Sequence, residues 1–381
     1  MSRIEEFDPI ELGERLRLAR AAAGLSQSDA CDIAGISRTT LVHTEKGKRA
    51  PRIEELVKLA PAYRTTVNRL LRSAAIQVEL VPQFRRSRGA DEEDAAGLAA
   101  VQLLQRLAAS FAELEREVFP ALRVSYPPEV AVNGRWTFEQ AEDAALGLRS
   151  SLGIGLSPIP DIVGLLESEM HFRVFVRPLD SRVAGLFAFK DEVGPCVLLN
   201  SKHPRSRQDL TVAHELGHFM GDRDGLDVVI GKHDPTSRQE RFATRFGLAF
   251  MMPPPAVRAR FRGIVRESGG FSARQLIHLA FQFHVSPEAM ARWLEQLSLV
   301  PEGTYNTLRA KGLSLDHVRE VLGRDDQSRR QVTTRCAFLA AEALAGGLRT
   351  EGQLSDMLSM DRIELRALMA ALGVGEGGAV V

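Results

Sequence analysis

The sequence predicts a mostly helical α+β protein with an N-terminal bundle of five short helices, a central α+β domain carrying a small sheet, and a helical C-terminal region. Three observations predict it. Between Ile10 and Leu71 the chain reads as short helical segments punctuated at Gly24, Gly35 and Gly47. In the middle, HFRVFVRP, GLFAF and PCVLLN are short apolar runs flanked by turn residues, which is a strand signal. From Pro253 onward only helical periodicity remains.

The elements divide the chain into four parts: residues 1–75, a helical connector over 76–135, the α+β domain over 136–300 and a helical region over 301–381. In the connector, Leu98, Val101, Leu104 and Leu107 stand at helical spacing in one long amphipathic helix that could pair two chains. SYPPEVAVNGRW breaks that signal, so the next domain is expected to begin near Trp136. Residues 137–152 look helical, and SPIPDIVGLLESE starts another helix after two prolines. GLRTEGQLSDMLSMDRIELRALMAALG reads as two or three short helices.

Composition narrows the function. With 381 residues, 44% of them hydrophobic, the chain can bury two or three cores. Its 49 basic and 49 acidic residues cancel, so any nucleic-acid binding must come from a local patch. Residues 1–72 hold 13 Lys+Arg against 10 Asp+Glu, and Arg85, Arg86 and Arg88 outweigh Glu79 just after them. Cys31, Cys196 and Cys336 are far apart, which fits a reducing cytoplasm better than a disulfide scaffold. The acidic N-terminus lacks the apolar core of a signal peptide. No apolar run of membrane-spanning length stands out, so no membrane span is expected.

In residues 12–71, Ser26 and Ser37 can cap two successive short helices, with Gly35 in the tight turn between them. Ala30, Ile33, Ile36 and Leu41 are expected to face inward, leaving Arg38, Thr39, Thr40 and His43 outward on the second helix. Short polar side chains and an arginine on one helix are what reads base edges in a major groove. Gln27, Lys46, Lys48 and Arg49 flank that helix where they could hold phosphates, and Ser37 at its start is a further candidate DNA-binding residue. A small helical domain that binds protein is the rival reading. GLSQ, GIS, an acidic residue and KGKRAP resemble the lambda-repressor-like helix-turn-helix family over about 60 residues, which implies double-stranded operator DNA as partner and a homodimer on paired half-sites. Cys31-Asp32 and Thr44 depart from the commoner residues without destroying the pattern.

SRQDLTVAHELGHFMG, residues 206–221, carries the chemistry. Ser206 and Asp209 read as a capping box, and Gly221 as a residue just past the helix end. His214 and His218 stand at i and i+4, so both imidazoles share a face and can bind one metal ion. Glu215, between them, can take the proton of a water attacking a carbonyl. Chance would supply such an arrangement about 0.03 times in this composition. A third ligand is needed, and two candidates compete: Asp224, in a metzincin-like pattern with Met251 or Met252 beneath it, and Glu240, which could equally be a capping partner of Ser237.

The leading helices, LSPIPDIVGLLE, LTVAHELGH and the segment from Glu240 through Ala243, Thr244 and Phe246 to Met252-Pro253 resemble the ImmA/IrrE zinc metallopeptidases. That resemblance implies a zincin-like fold, Zn²⁺ held by His214, His218 and Glu240, and Glu215 as catalytic base. It further implies an endopeptidase that cleaves a regulatory protein, commonly a helix-turn-helix repressor, in a stress or mobile-element response. Thr244 stands where Asn or Asp is usual, which bears on how a ligand is oriented. His233, between the two metal segments, could stabilise an oxyanion, whereas His171, His203, His278 and His284 read as packing or surface residues. Two rivals remain: a transcription factor whose zinc domain is a sensor or structural module, and an antitoxin-like protein that binds a partner through its C-terminal helices.

Overall fold

The structure, a computed structural model, describes residues 8–63, 65–71, 80, 95–132, 137–223, 227–230, 237–311 and 332–374. The segment holding Arg85, Arg86 and Arg88, and the expected boundary at Trp136, lie outside them. The chain divides into two compact units, residues 1–122 with 190–193 and 337–381, and residues 123–189 with 194–336. The described chain is mostly helical, as the sequence predicts.

In the first unit, α1 (Pro9–Ala22), α2 (Gln27–Ala34), α3 (Arg38–Glu45), α4 (Ile53–Ala62) and α5 (Val67–Leu71) form the expected five helices. Ser26 Oγ accepts from the Asp29 amide while Asp29 returns the bond to the Ser26 amide, and Ser37 Oγ accepts from the Thr40 amide. Between α2 and α3, Gly35 takes the left-handed conformation, φ 69°, that the turn requires. Leu12, Leu16, Ala30, Leu41, Leu56 and Leu59 fill the core. Ile33 does not join it. On so short a helix Ala30, Cys31 and Ala34 share the inward stripe, and Ile33 falls about 100° away from its centre, 41% exposed.

Helix α6 (Ala95–Val118) is the described helix that comes nearest to a membrane span. It is long and apolar enough by composition, but more than half of its apolar window is buried within the protein. Among its buried residues are Ser110, Glu113 and Glu115, a pattern that belongs to a core helix. Leu98 is only half-buried, while Val101, Leu104 and Leu107 are buried.

The second unit contains α7 (Thr137–Ser151), α8 (Ile162–Glu169), β1 (Arg173–Arg177), β2 (Val183–Lys190), β3 (Gly194–Asn200), α9 (Arg205–Gly221), β4 (Asp227–Ile230), α10 (Arg238–Met251), α11 (Pro254–Ser268), α12 (Ala273–Gln282), α13 (Pro287–Gln296) and α14 (Thr304–Ala310). Among the described residues the sheet has four strands in the order β1-β3-β2-β4, where the sequence predicts about three, because β4 is a four-residue strand with little pattern to read. β1 runs parallel to β3 with Val174 opposite Val197 and Val176 opposite Leu199. All five β1 residues are buried, Arg173 and Arg177 included, so the apparent alternation of HFRVFVRP is that of a strand buried throughout rather than a half-exposed one. A continuous core joins the sheet to α7–α13, with Phe172, Phe187, Phe219, Phe242, Phe246 and Phe250 inside it. In its C-terminal part the Trp293 indole donates to the Met252 carbonyl at 2.9 Å.

The remaining helices are α15 (Thr334–Ala345), α16 (Glu351–Leu358) and α17 (Arg362–Ala371). Within the first unit, α16 packs on α6, and Arg349 pairs with Glu117.

Candidate metal centre

Helix α9 starts one residue after Pro204, so Ser206 and Asp209 form no capping box. Ser206 lies inside the first turn and Asp209 is buried. Gly221 is the last helical residue rather than a cap, since Asp222 ends the helix at φ −160°. Its requirement for glycine is packing: a Cβ there would lie 2.8 Å from the Phe242 ring and 2.9 Å from Val132.

The site is made by the crossing of α9 and α10. A Cβ on Gly217 would lie 2.6 Å from the Ala243 Cα, and one on Gly247 would lie 2.8 Å from the His214 amide nitrogen. Two mid-helix glycines therefore let the backbones touch, which no larger residue permits. The buried stripe Phe242, Phe246 and Phe250, its successive rings stacked at 6.0 and 5.8 Å, turns the opposite side of α10 into the core and fixes its rotation. Ser237 caps α10 by accepting from the Glu240 amide, which sets Glu240 in the first turn.

That crossing brings His214, His218 and Glu240 together. The two Nε2 atoms are 3.0 Å apart, and each lies 3.5 Å from one Glu240 carboxylate oxygen. All three ligand atoms fall within 4.8 Å of one another. Donors around a tetrahedral zinc at about 2.0–2.1 Å stand about 3.3 Å apart, so these separations and this donor set fit the ion. Thr244 Oγ1 lies 3.3 Å from His214 Nδ1, so the hydroxyl occupies the orienting position and leaves Nε2 turned toward Glu240.

Glu215 is fully buried, with its carboxylate beside β2 of the sheet. A methyl group on Gly185 of β2 would lie 3.5 Å from its Oε1. Asp224 and His233 lie outside the described residues. Met251 and Met252 are core residues. His203 is buried, and burial holds its imidazole below the usual histidine range.

With this geometry in hand, two family models match the chain. Residues 168–295 match the IrrE N-terminal-like domain of the M78 peptidases, and residues 11–72 match a helix-turn-helix domain. The chain carries a helix-turn-helix domain at residues 11–72 and an IrrE-like peptidase-family domain at residues 168–295. No curated protein matches it. In the helix-turn-helix domain, Ser37, Arg38, Thr39, His43, Lys46 and Lys48 are exposed, with Thr40 half-buried beside them. Two of the expected phosphate contacts have partners inside the domain. Gln27 Nε2 donates to Glu45 at 3.0 Å, and Glu45 also pairs with Arg20. Arg49 grips Glu55 through both terminal nitrogens at 2.7 and 2.8 Å.

Sequence reading did not find Gly217 or Gly247 as parts of the IrrE-like site, whereas it did mark Thr244 as bearing on ligand orientation. Both glycines had a signal, since glycine inside the helical patterns HELGH and RFGLAF weakens a helix by about 1 kcal/mol unless close packing requires it.

Proposed function

We propose that this protein is a DNA-binding regulator whose IrrE-like domain is a zinc endopeptidase that cleaves a regulatory protein. The observation that carries this reading is the convergence of His214, His218 and Glu240 on one point, with Glu215 between the two histidines in sequence. Zn²⁺, held by those three side chains, would supply Lewis acidity, polarising a peptide carbonyl and lowering the pKa of water toward about 7. Glu215 takes the proton of the attacking water and delivers it to the departing amine nitrogen. Thr244 keeps His214 in one orientation. In the helix-turn-helix domain Arg38, Thr39, Thr40 and His43 face the bases of an operator, with Ser37, Lys46 and Lys48 on phosphates, Gln27 and Arg49 holding the domain's frame beside them, and the protein acting as a homodimer in the cytoplasm. The substrate is a repressor of the same helix-turn-helix class, removed under stress.

Glu215→Gln keeps shape and hydrogen bonding but cannot accept the proton, so turnover should fall by about 10²–10⁴-fold. Wild type and Glu215→Gln are coexpressed with helix-turn-helix repressors of the same genome and followed by whole-proteome mass spectrometry, with and without DNA damage and metal stress. One protein should shorten or disappear only with the wild type. If none does under any condition, while Glu215→Gln still abolishes gene regulation, the domain is a sensor and the peptidase reading fails.

A further inference from the structure

Residues 123–132 have no regular secondary structure, yet they are tied to the rest of the second unit at several points. All of these points lie on the last turn of α9, on the residues just after it, or where the end of β2 meets the start of β3. The Val130 amide donates to the Met220 carbonyl at 2.7 Å. That carbonyl is among the last four of the helix, which have no partner within it. Arg223, just beyond α9, donates to the Pro127 carbonyl at 2.7 Å, while its own amide donates to Glu129 Oε1 at 3.4 Å. The same guanidinium lies 4.1 Å above the Phe219 ring.

Tyr126 packs edge-on against both Phe219 and Phe189, with centroid separations of 5.5 and 5.8 Å, and those two rings touch each other at 5.9 Å. Gly194, at φ 62°, leaves the room its hydroxyl needs, since a Cβ there would overlap it. Val132 reaches Gly221, as described above. Both glycines therefore make room for the segment, so its seat is shaped by the domain rather than being a chance surface contact.

His218 immediately precedes Phe219. The last-turn bond from the Asp222 amide to the His218 carbonyl, 2.7 Å, spans the same stretch that the segment clamps. A helix end frays unless its terminal carbonyls and its apolar side chains are held. We propose that residues 123–132 are a strap whose docking on the end of α9 holds His218 in its metal-binding position, so that releasing the strap weakens the metal site. The inference rests on the metal reading of His214, His218 and Glu240. It also gives the chain a route for control, because residues 119–122 alone separate the strap from the end of α6 at Val118. Whatever pulls on the chain ahead of residue 123 pulls on the strap.

The test uses the full-length protein with Tyr126→Ala/Arg223→Ala and, as a milder variant, Tyr126→Leu. Three quantities are measured: zinc affinity by competition with a chromogenic chelator, the visible spectrum of the cobalt(II)-substituted protein, and thermal unfolding of the metal-free chain. The double variant should bind zinc at least tenfold more weakly and shift the cobalt bands, which report ligand geometry and not global stability. Should the double variant fail to fold, Tyr126→Leu decides by the same affinity and spectrum. Wild-type affinity and an unchanged cobalt spectrum in a folded variant overturn the strap. A wild-type protein that takes up no zinc overturns the metal reading instead, so the two failures are distinguishable.

Discussion

Replacing Gly217 by alanine adds one methyl group at the tightest point of the α9–α10 crossing. That Cβ would sit 2.6 Å from the Ala243 Cα and 2.7 Å from its carbonyl oxygen, where ordinary contact begins at 3.4 Å. Both obstacles are backbone, so no side chain can swing aside, and the helices must part by about 1 Å. Overpacking of this kind costs about 1–3 kcal/mol, against about 1 kcal/mol gained from alanine's better helix propensity. Net destabilisation is therefore small, while the effect on the site is large. Metal–ligand distances tolerate only about 0.2 Å, and Glu240 rides on the helix that moves. Zinc affinity should fall by at least the about 10–100-fold seen when a ligand's support is disturbed. The assay is chelator competition beside thermal unfolding of the metal-free chain. Gly263→Ala in α11 is the control, since nothing lies within 4 Å of a Cβ there; it should raise stability and leave zinc binding alone. A Gly217→Ala protein with wild-type zinc affinity would refute the argument that helix contact builds the site.

Two further outcomes are expected. Burial pushes the Glu167 carboxyl up to about 7, against the hydrogen bond from the Arg335 amide, 3.3 Å, that favours its charged form. A carboxyl that keeps its proton in the folded chain stabilises it below about 4.5, and that stability is lost as pH rises toward 7. The loss is at most about 3 kcal/mol, so denaturant unfolding of wild type minus Glu167→Gln should slope downward across this window; a flat difference contradicts it. In the helix-turn-helix domain, Arg38→Ala should relax sequence preference in a random-pool selection, whereas Lys48→Ala should weaken binding to all sequences alike and flatten its salt dependence. Equal loss of preference in both variants would remove the assigned roles.

The parts of the fold that sequence made legible are those where periodicity and chemistry coincide. Ser26 and Ser37 cap α2 and α3 because a serine oxygen before a short helix has an orphan amide to bind. The Phe242, Phe246 and Phe250 stripe was legible because one apolar face repeats every turn. Likewise, His214 and His218 share a face because four residues nearly complete one turn. What sequence does not carry is tertiary approach. Ser206-x-x-Asp209 has the pattern of a capping box, but the backbone is already helical there. Gly221 has the look of a cap, but Phe242 and Val132 are the reason for it. The strap was illegible for the same cause. Residues 123–132 lack any period, and they are placed by the end of α9 and by the β2–β3 end against which they lie.

Metal content of the purified protein tests the central claim most directly. Mass spectrometry should find about one zinc per chain in the wild type and in Glu215→Gln, because two imidazoles and a carboxylate leave the fourth position of a catalytic site open and Glu215 is no ligand. His218→Ala and Glu240→Ala should lose it. Zinc retained in full by Glu240→Ala, or absent from the wild type, would contradict the account.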